Sequence, residues 1–119
     1  MLNSNCIFCK IIKGELAAQK YYEDDNFLAI FDKAPISNGH LVLFSKNHYN
    51  DIQEMPELEW QKLLSLARQL AEKQMAEIKT DGYNLLINQG EAAQSGIPHR
   101  PHIHIIPRRF GDGLKIDPR

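Results

Sequence analysis

Histidine is concentrated in one short stretch of this sequence, PHRPHIHIIPR at residues 98–108. Three of the five histidines of the chain lie there, and His102 and His104 alternate with isoleucine. Alternation along a β-strand places His102 and His104 on one face and Ile103 and Ile105 on the other. A half-buried strand with imidazoles on its polar face indicates a binding or catalytic site.

The chemistry open to such a cluster follows from the imidazole ring. A neutral imidazole can act as a nucleophile near neutral pH, since its ordinary pKa is about 6.5. Attack requires a backbone carbonyl or a neighbouring group to hold the proton of the other ring nitrogen. Phosphorus is a suitable electrophile, because phosphoryl transfer depends on positioning and electrostatics. The same rings could chelate zinc, or one could be buried and the others solvated. The residues alone leave these three interpretations open.

Composition narrows the class of protein. The chain has 119 residues and a formal net charge of −1, which suits one domain over residues 1–119 and gives no long-range field to attract nucleic acid or an anionic membrane. No apolar run approaches the ~20 residues that span a bilayer, and the N-terminus lacks the pattern of a secretory signal. We therefore predict a cytoplasmic protein without nucleic-acid or membrane partners. In that compartment a C-x-x-C pair is more typical of a metal or redox site than of a disulfide.

The elements that position the histidines are mainly strands. Alternation and turn residues predict a short helix over 6–13, a long helix over 56–78, and strands over 20–23, 27–31, 40–45, 83–88 and 101–107. The long helix has one apolar stripe, formed by Leu63, Leu64, Ala67, Leu70, Ala71, Met75 and Ile78. Short connections between the early strands favour antiparallel pairing, so the fold class is α+β.

Several of these segments, taken in order, resemble the histidine triad (HIT) family over nearly the whole chain. The stretch HIHIIPR is similar to the end of the family's motif, in which three histidines alternate with apolar residues. The other matching segments are CIFCKII at 6–12, YEDD at 22–25, LAIFD at 28–32, GHLVL at 39–43 with Lys46 and His48, NQG at 88–90 and QS at 94–95. Each is weak alone, but their order and separations are specific.

The resemblance implies an antiparallel five-stranded sheet with one long helix and a short N-terminal helix, and a homodimer that binds nucleoside phosphates. It implies that the middle histidine attacks the α-phosphorus and forms a covalent nucleotidyl-histidine, which is then hydrolysed. By position His102 is that nucleophile. His104 is the third histidine, which orients the site and contacts phosphate.

Further roles are implied by matching positions. Gln94 and Ser95 contact phosphate or help the leaving group depart, Asp32 accepts hydrogen bonds from ribose, and Asn88 positions ribose or phosphate. Phe8, Ile11 and Ile30 line the base pocket. Six of these residues also have a simpler explanation. The three apolar residues could belong to the core, Asp32 could be a cap, and Gln94 and Ser95 could be polar loop residues.

The sequence departs from the family just before the nucleophile. The family's first histidine lies two residues before the middle one, where this chain has Arg100; His99 lies three residues before. Either a bulge at Pro101 returns His99 to the face of His102, or Arg100 occupies that face and holds a phosphate oxygen. The preceding loop has Ala93 where the family tends to have glycine.

Some members of the resembled family hold zinc with an N-terminal cysteine pair and two histidines. Cys6 and Cys9 have the spacing of half a zinc knuckle, and a closed structural site needs four ligands, for which His48 and His99 are the candidates at matching positions. In this interpretation His99 binds zinc, while His102 and His104 serve the phosphate. Free thiols and a redox pair are the alternatives, and the redox pair lacks the βαβ context.

Two classes of function remain. The first is a nucleotide hydrolase that cleaves at the α-phosphate of a nucleoside phosphoramidate or a dinucleoside polyphosphate; phosphorolysis and transfer are not distinguished from hydrolysis. The second is a non-catalytic module that binds nucleotide or zinc and acts through partners.

Overall fold

Five strands form one antiparallel sheet in the computed structural model, which describes residues 2–116. The helices are α1 (Ile7–Ile12) and α2 (Glu57–Ile78), and the strands are β1 (Lys20–Glu23), β2 (Phe27–Phe31), β3 (Leu41–Ser45), β4 (Gly82–Ile87) and β5 (His102–Arg108). Short 3₁₀ turns at Ile52–Glu54 and Glu91–Ala93 were not predicted. The predicted fold class, α+β with five antiparallel strands, one long helix and a short N-terminal helix, is confirmed. The single-domain prediction over 1–119 includes Met1 and 117–119, which lie outside the described residues.

The histidine strand β5 lies inside the sheet, whose order is β1-β2-β3-β5-β4. Its two faces have different surroundings. Ile103 and Ile105 belong to the apolar cluster that includes the buried residues of α2. The opposite face of the sheet, with Val42 and Phe44 of β3, packs against α1. Because β3 pairs with β5, Phe44 stands opposite His102 and Val42 opposite His104, which places the imidazoles on the α1 side.

The buried stripe of α2 differs from the predicted one. Leu63, Ala67, Leu70 and Ala71 are buried as predicted, together with Leu66 and Gln74, whereas Leu64 and Ile78 are exposed. Buried positions follow spacings of three and four from Leu63, and its neighbour Leu64 is rotated by about 100° around the helix axis. The sequence did not predict that Gln74 belongs to the buried face, because its side chain is polar. Its side-chain amide donates to the Gly39 carbonyl at 2.6 Å, which satisfies its buried nitrogen.

Several helices and strands begin or end about one residue from the predicted position. Pro56 was predicted to be the first helical residue, but it is the N-cap of α2, with ψ 145°. The histidine strand begins at His102 rather than at residue 101, because Pro101 has no amide hydrogen to donate to a ladder. Among the helices of residues 2–116, neither is both long and apolar enough to cross a bilayer.

We predict that Gly39→Ala lowers the free energy of unfolding by roughly 2 to 4 kcal/mol. Gly39 has φ +92°, and an added Cβ would lie 2.9 Å from Gln74 Nε2 and 3.0 Å from Ile78 Cδ1. Urea unfolding measures the change. Gly96→Ala is the matched control, since a Cβ there has nothing within 4 Å and its φ is not positive. Equal stability of the two variants would contradict the prediction.

Candidate active site

A cavity of about 440 Å³ opens beside the histidine strand on the α1 side of the sheet. His102 and His104 form part of its wall together with Asp32. The three residues predicted to form an apolar base pocket, Phe8, Ile11 and Ile30, also line it. The structure therefore brings the predicted nucleophile, its neighbouring histidine, the predicted ribose contact and the apolar residues to one cavity. Its apolar part comes from α1, β2 and β3, and its polar end from β5 and the end of β2.

Hydrogen bonding determines which nitrogen of His102 is free. Its Nδ1 lies 3.0 Å from the carbonyl oxygen of His99, and a carbonyl can only accept, so Nδ1 carries the proton. The lone pair is therefore on Nε2. Burial lowers the pKa of His102, with backbone bonding to His99 opposing the shift. His102 is thus a neutral imidazole with a free nitrogen, the form that a nucleophile requires.

His104 is part of a hydrogen-bonded chain that begins at a backbone amide. The Ile36 N–H donates to His40 Nδ1 at 3.2 Å, so His40 carries its proton on Nε2. That nitrogen lies 2.9 Å from His104 Nδ1, which must accept, so His104 carries its own proton on Nε2. Burial lowers the pKa of both rings, that of His104 to about 4, while the Asp32 carboxylate opposes both shifts. His104 is therefore a neutral hydrogen-bond donor.

His40 is the residue of this site that sequence reasoning missed. It lies in the segment that matched the family, but it was given no role. A signal was available: His40 precedes Val42 by two residues, and Val42 faces the same side of the sheet as His104. The Asp32 carboxylate lies 3.7 Å from His40 Nε2 and 4.0 Å from His104 Nδ1, so it joins the same group.

Cys6, Cys9, His48 and His99 form a second group, next to the first. One ligand atom from each lies within 4.8 Å of all the others. His99 Nδ1 is 3.3 Å from Cys6 Sγ and 3.6 Å from Cys9 Sγ, and His48 Nδ1 is 3.3 Å from Cys9 Sγ. The sequence separates the cysteines from His99 by about ninety residues, yet the fold brings them together. The group could hold a metal ion.

The donor atoms of this group suit a metal chemically. His99 Nε2 donates to the Ser45 carbonyl at 2.7 Å, and His48 Nε2 donates to Asn50 Oδ1 at 2.9 Å. Both rings therefore present an unprotonated Nδ1 to the thiols. Burial lowers the pKa of His99 to about 4, so its Nδ1 stays unprotonated at neutral pH. Burial raises the pKa of the Cys6 thiol to about 11, so a metal would have to displace the thiol proton on binding. Two sulfurs and two free imidazole nitrogens, each ring oriented by an oxygen on its other side, are typical of a tetrahedral site.

Residues 99–101 connect the two groups, and their structure tests the two explanations given for the three-residue spacing between His99 and His102. The β3–β5 register continues without a shift from the Leu41–Ile105 pair to the Phe44–His102 pair, so Pro101 marks no bulge in that ladder. The interpretation that Arg100 occupies the phosphate face is also wrong. Its guanidinium donates to Ser95 and to the Asn50 carbonyl, and the cavity lining in residues 2–116 does not include Arg100.

Three predicted site residues lie elsewhere. Ser95 is buried, and its hydroxyl accepts a hydrogen bond from Arg100 Nε at 2.9 Å. Gln94 is exposed at the end of a 3₁₀ turn, with φ 67°. Asn88 is half-buried just after β4. Within the described part of the chain, the cavity lining includes none of the three. Their contacts with phosphate or ribose stay predictions.

Known proteins share both the sequence pattern and the fold. Residues 13–111 match the model of the HIT domain. Adenylylsulfatase HINT3 of Arabidopsis thaliana is 41% identical over 95% of this chain and 57% of its own length. Adenosine 5'-monophosphoramidase HNT1 of Saccharomyces cerevisiae is 34% identical over 91% of this chain and 65% of its own length. The chain thus spans less than two thirds of each of these two relatives.

A solved structure extends the similarity to three dimensions. The Zn-bound histidine triad family protein from Mycobacterium smegmatis superposes with a TM-score of 0.87 and 35% sequence identity, covering 96% of this chain and 84% of that one. His102 and His104 of β5, together with Asp32 and His40, lie within the residues that match the domain model. By sequence and by fold, this chain belongs to the histidine triad family.

Proposed function

We propose that this protein is a nucleotide hydrolase that cleaves at the α-phosphate of a nucleoside phosphoramidate or a dinucleoside polyphosphate. The observation that carries the proposal is the neutral His102, whose Nδ1–H is bound to the His99 carbonyl and whose Nε2 is free beside a cavity. The names of the relatives, an adenylylsulfatase and an adenosine 5'-monophosphoramidase, support a substrate that is an adenosine 5'-phosphate derivative.

In the first step His102 Nε2 attacks the α-phosphorus. A P–N bond forms to the ring, and the P–N or P–O bond to the leaving group breaks; the leaving group departs with the bonding electrons and takes a proton from solvent. Positive charge develops on the ring, and the His99 carbonyl stabilises it through Nδ1–H. Water then attacks the phosphorus and loses a proton, the bond to His102 breaks, and the nucleoside monophosphate is released.

The neighbouring rings stabilise negative charge in this scheme. His104 carries its proton on Nε2, because Nδ1 accepts from His40, so it can donate to a non-bridging phosphate oxygen. The Ile36 amide and the Asp32 carboxylate fix His40. A donor that is already oriented needs no reorganisation when charge develops, which is the main source of electrostatic catalysis. We assign His104 to the phosphate and His40 to the orientation of His104.

The rest of the cavity suits a nucleoside. Phe8, Ile11 and Ile30 offer apolar surface to a base. Asp32 also lines the cavity, within 4.0 Å of ring nitrogens of His40 and His104. Its Oδ1 accepts from the Ala34 amide at 2.9 Å, and the carboxylate keeps further acceptor capacity for ribose hydroxyls. A nucleoside bound with its base on the apolar residues and its ribose at Asp32 would bring its α-phosphorus towards His102 and His104, which line the same cavity.

Zinc is the metal that we assign to Cys6, Cys9, His48 and His99. The donor set and the Zn-bound family structure from Mycobacterium smegmatis support this assignment. A bound zinc would supply a structural link and no chemistry, because four protein ligands would complete its coordination. The ligands come from the start of α1, the loop after β3 and the segment before β5, so they tie three parts of the chain together.

A homodimer and a cytoplasmic location stay predictions from the resemblance and the sequence. Strand β4 supports the dimer, since it is the last strand of the sheet and carries Leu85, which is 42% exposed. An unpaired edge with apolar side chains is a surface that a second copy can cover.

We expect His102→Ala to lower kcat/KM by at least about 10³-fold, because the attacking nitrogen is lost. The substrates are an adenosine phosphoramidate and a diadenosine polyphosphate, with AMP release as the measurement. Unchanged thermal unfolding and metal content of the variant serve as controls. Near-normal turnover in the variant would refute the nucleophile, and AMP binding without turnover by the wild-type protein would favour a non-catalytic module.

The pH dependence of kcat/KM tests the neutral state of His104. This ring faces His40, His102 and Asp32, and burial lowers its pKa to about 4. Protonation would place a hydrogen on Nδ1, against His40 Nε2–H. Since the folded-state pKa lies below that of a free imidazole, we expect activity to hold from about pH 8 down to about pH 6.5 and to fall only below that. Asp32→Asn removes the carboxylate that favours the protonated ring, so the acid limb should move to lower pH. An acid limb centred at or above pH 6.5 would contradict this prediction.

Metal analysis tests the zinc assignment. Protein purified without chelator should contain about one equivalent of zinc, and removal of the metal should lower the free energy of unfolding by at least ~2 kcal/mol. Cys9→Ser and His48→Asn should lose most of the metal, whereas His40→Asn, a histidine variant outside the group, should retain it. Fewer than about 0.2 equivalents in the wild-type protein would remove the claim.

A further inference from the structure

We infer that Arg100 is a positioning residue, which fixes the segment of chain from Ser95 to Pro101 that leads into His102. The inference rests on the proposed function for its effect on turnover, although its structural basis is independent of it. Arg100 occupies the position at which the resemblance predicted a histidine. It is 7% exposed, which is unusual for an arginine.

Within residues 2–116, the guanidinium of Arg100 makes its polar contacts with loop residues outside the cavity lining. Arg100 Nε donates to Ser95 Oγ at 2.9 Å, and Nη2 donates to the Ser95 carbonyl at 2.9 Å. Nη1 donates to the Asn50 carbonyl at 2.8 Å and lies 3.7 Å from Asp51 Oδ1. The Arg100 amide also donates to the Tyr49 carbonyl at 2.8 Å. One residue thus joins the loop before β5 to the loop after β3.

A second set of contacts continues this connection. Gln89 Nε2 donates to Asp51 Oδ1 at 2.8 Å, and the Ile52 amide donates to Gln89 Oε1 at 2.8 Å. Asp51 therefore lies between Arg100 and Gln89. The loop after β4 is held at both ends, by Gln89 at its start and by Arg100 at its finish. His48 and His99, which belong to the metal-binding group, come from the two loops that Arg100 joins.

The planar guanidinium is needed for this arrangement. Its nitrogens reach Ser95 on one side and Asn50 on the other, in a fixed fork that a lysine ammonium cannot reproduce. A buried cation whose partners are mostly neutral oxygens is a poor source of net stability, because its desolvation offsets much of the gain. Loss of the guanidinium leaves buried acceptors unpaired. The residue therefore contributes geometry more than it contributes stability.

The segment that Arg100 holds meets the active site at two points. Ile97 lines the cavity. The carbonyl of His99, directly before Arg100, accepts the Nδ1–H of the nucleophile His102. A displacement of this segment would loosen one wall of the cavity. It would also weaken the hydrogen bond that keeps the proton of His102 on Nδ1. Both substrate binding and the chemical step should therefore depend on a side chain that contacts no substrate.

The experiment compares Arg100→Ala, Arg100→Lys and the control Arg68→Gln, an exposed arginine on α2. Each zinc-loaded variant is measured for kcat and KM, for hydrogen exchange of the amides in residues 88–100, and for the rate of zinc release to a chelator. We expect Arg100→Ala and Arg100→Lys to lose at least tenfold in kcat, to exchange residues 88–100 at least tenfold faster with β1 and β2 unchanged, and to release zinc faster. Millimolar guanidinium should restore part of the kcat of Arg100→Ala but not that of Arg100→Lys, whose side chain fills the space.

The possible outcomes separate the two proposals. A kcat within twofold of wild type with unchanged local exchange in both variants overturns the positioning role. Uniformly faster exchange over the whole chain, or the same effects in Arg68→Gln, also overturns it, since the effect would then be general destabilisation. If the wild-type protein hydrolyses no nucleotide, the proposed function fails, and local exchange and zinc release still decide the role of Arg100.

Discussion

The structure of the site depends on one hydrogen bond, from His102 Nδ1 to the carbonyl oxygen of His99. It fixes the tautomer of the residue that faces the cavity, and its acceptor belongs to a residue whose ring lies among the cysteine sulfurs. A side chain and a backbone atom of the same residue thus serve two different groups. The spacing of three residues between His99 and His102 departs from the spacing of two in the family's motif. This spacing lets the His99 ring face the cysteines while its carbonyl binds His102.

Burial has the same effect on four histidines of the two groups. The pKa values of His40, His99, His102 and His104 are all lowered, mainly by desolvation. Neutral rings can be packed together where charged ones would repel, and each neutral ring has one donor and one acceptor nitrogen. Fixed partners at one nitrogen then determine the other: a carbonyl for His99 and His102, an amide for His40. The direction of each hydrogen bond in the site follows from these backbone groups.

The sequence could predict what depends on local pattern. Alternation located β5, and turn residues delimited β1 and β2. The spacing of Cys6 and Cys9 indicated a metal site, and the resemblance to the family added His48 and His99, which the fold brings to the same place. It could not predict what depends on contacts between distant segments. Gln74 joined the buried face of α2 because Gly39 offers it a carbonyl. Arg100 points away from the cavity because Ser95 and Asn50 offer acceptors there. The alternation with Val42 was a signal for the side on which His40 lies, but its hydrogen bond to His104 depends on the pairing of β3 with β5.

The hydrogen bond from Gln74 to the Gly39 carbonyl restricts how the core can be redesigned. By hydrophobic pattern, position 74 looks like an error in the apolar face of α2, and a leucine there would satisfy any rule that scores the helix alone. The replacement would leave the backbone carbonyl of Gly39, immediately before His40, without its donor. The ring of His40 lies on the other face of the sheet, against His104. A substitution chosen to improve the scaffold would thus act on the ring that orients His104. In this fold the long helix is part of the support of the site, although it contributes no residue to the cavity described above.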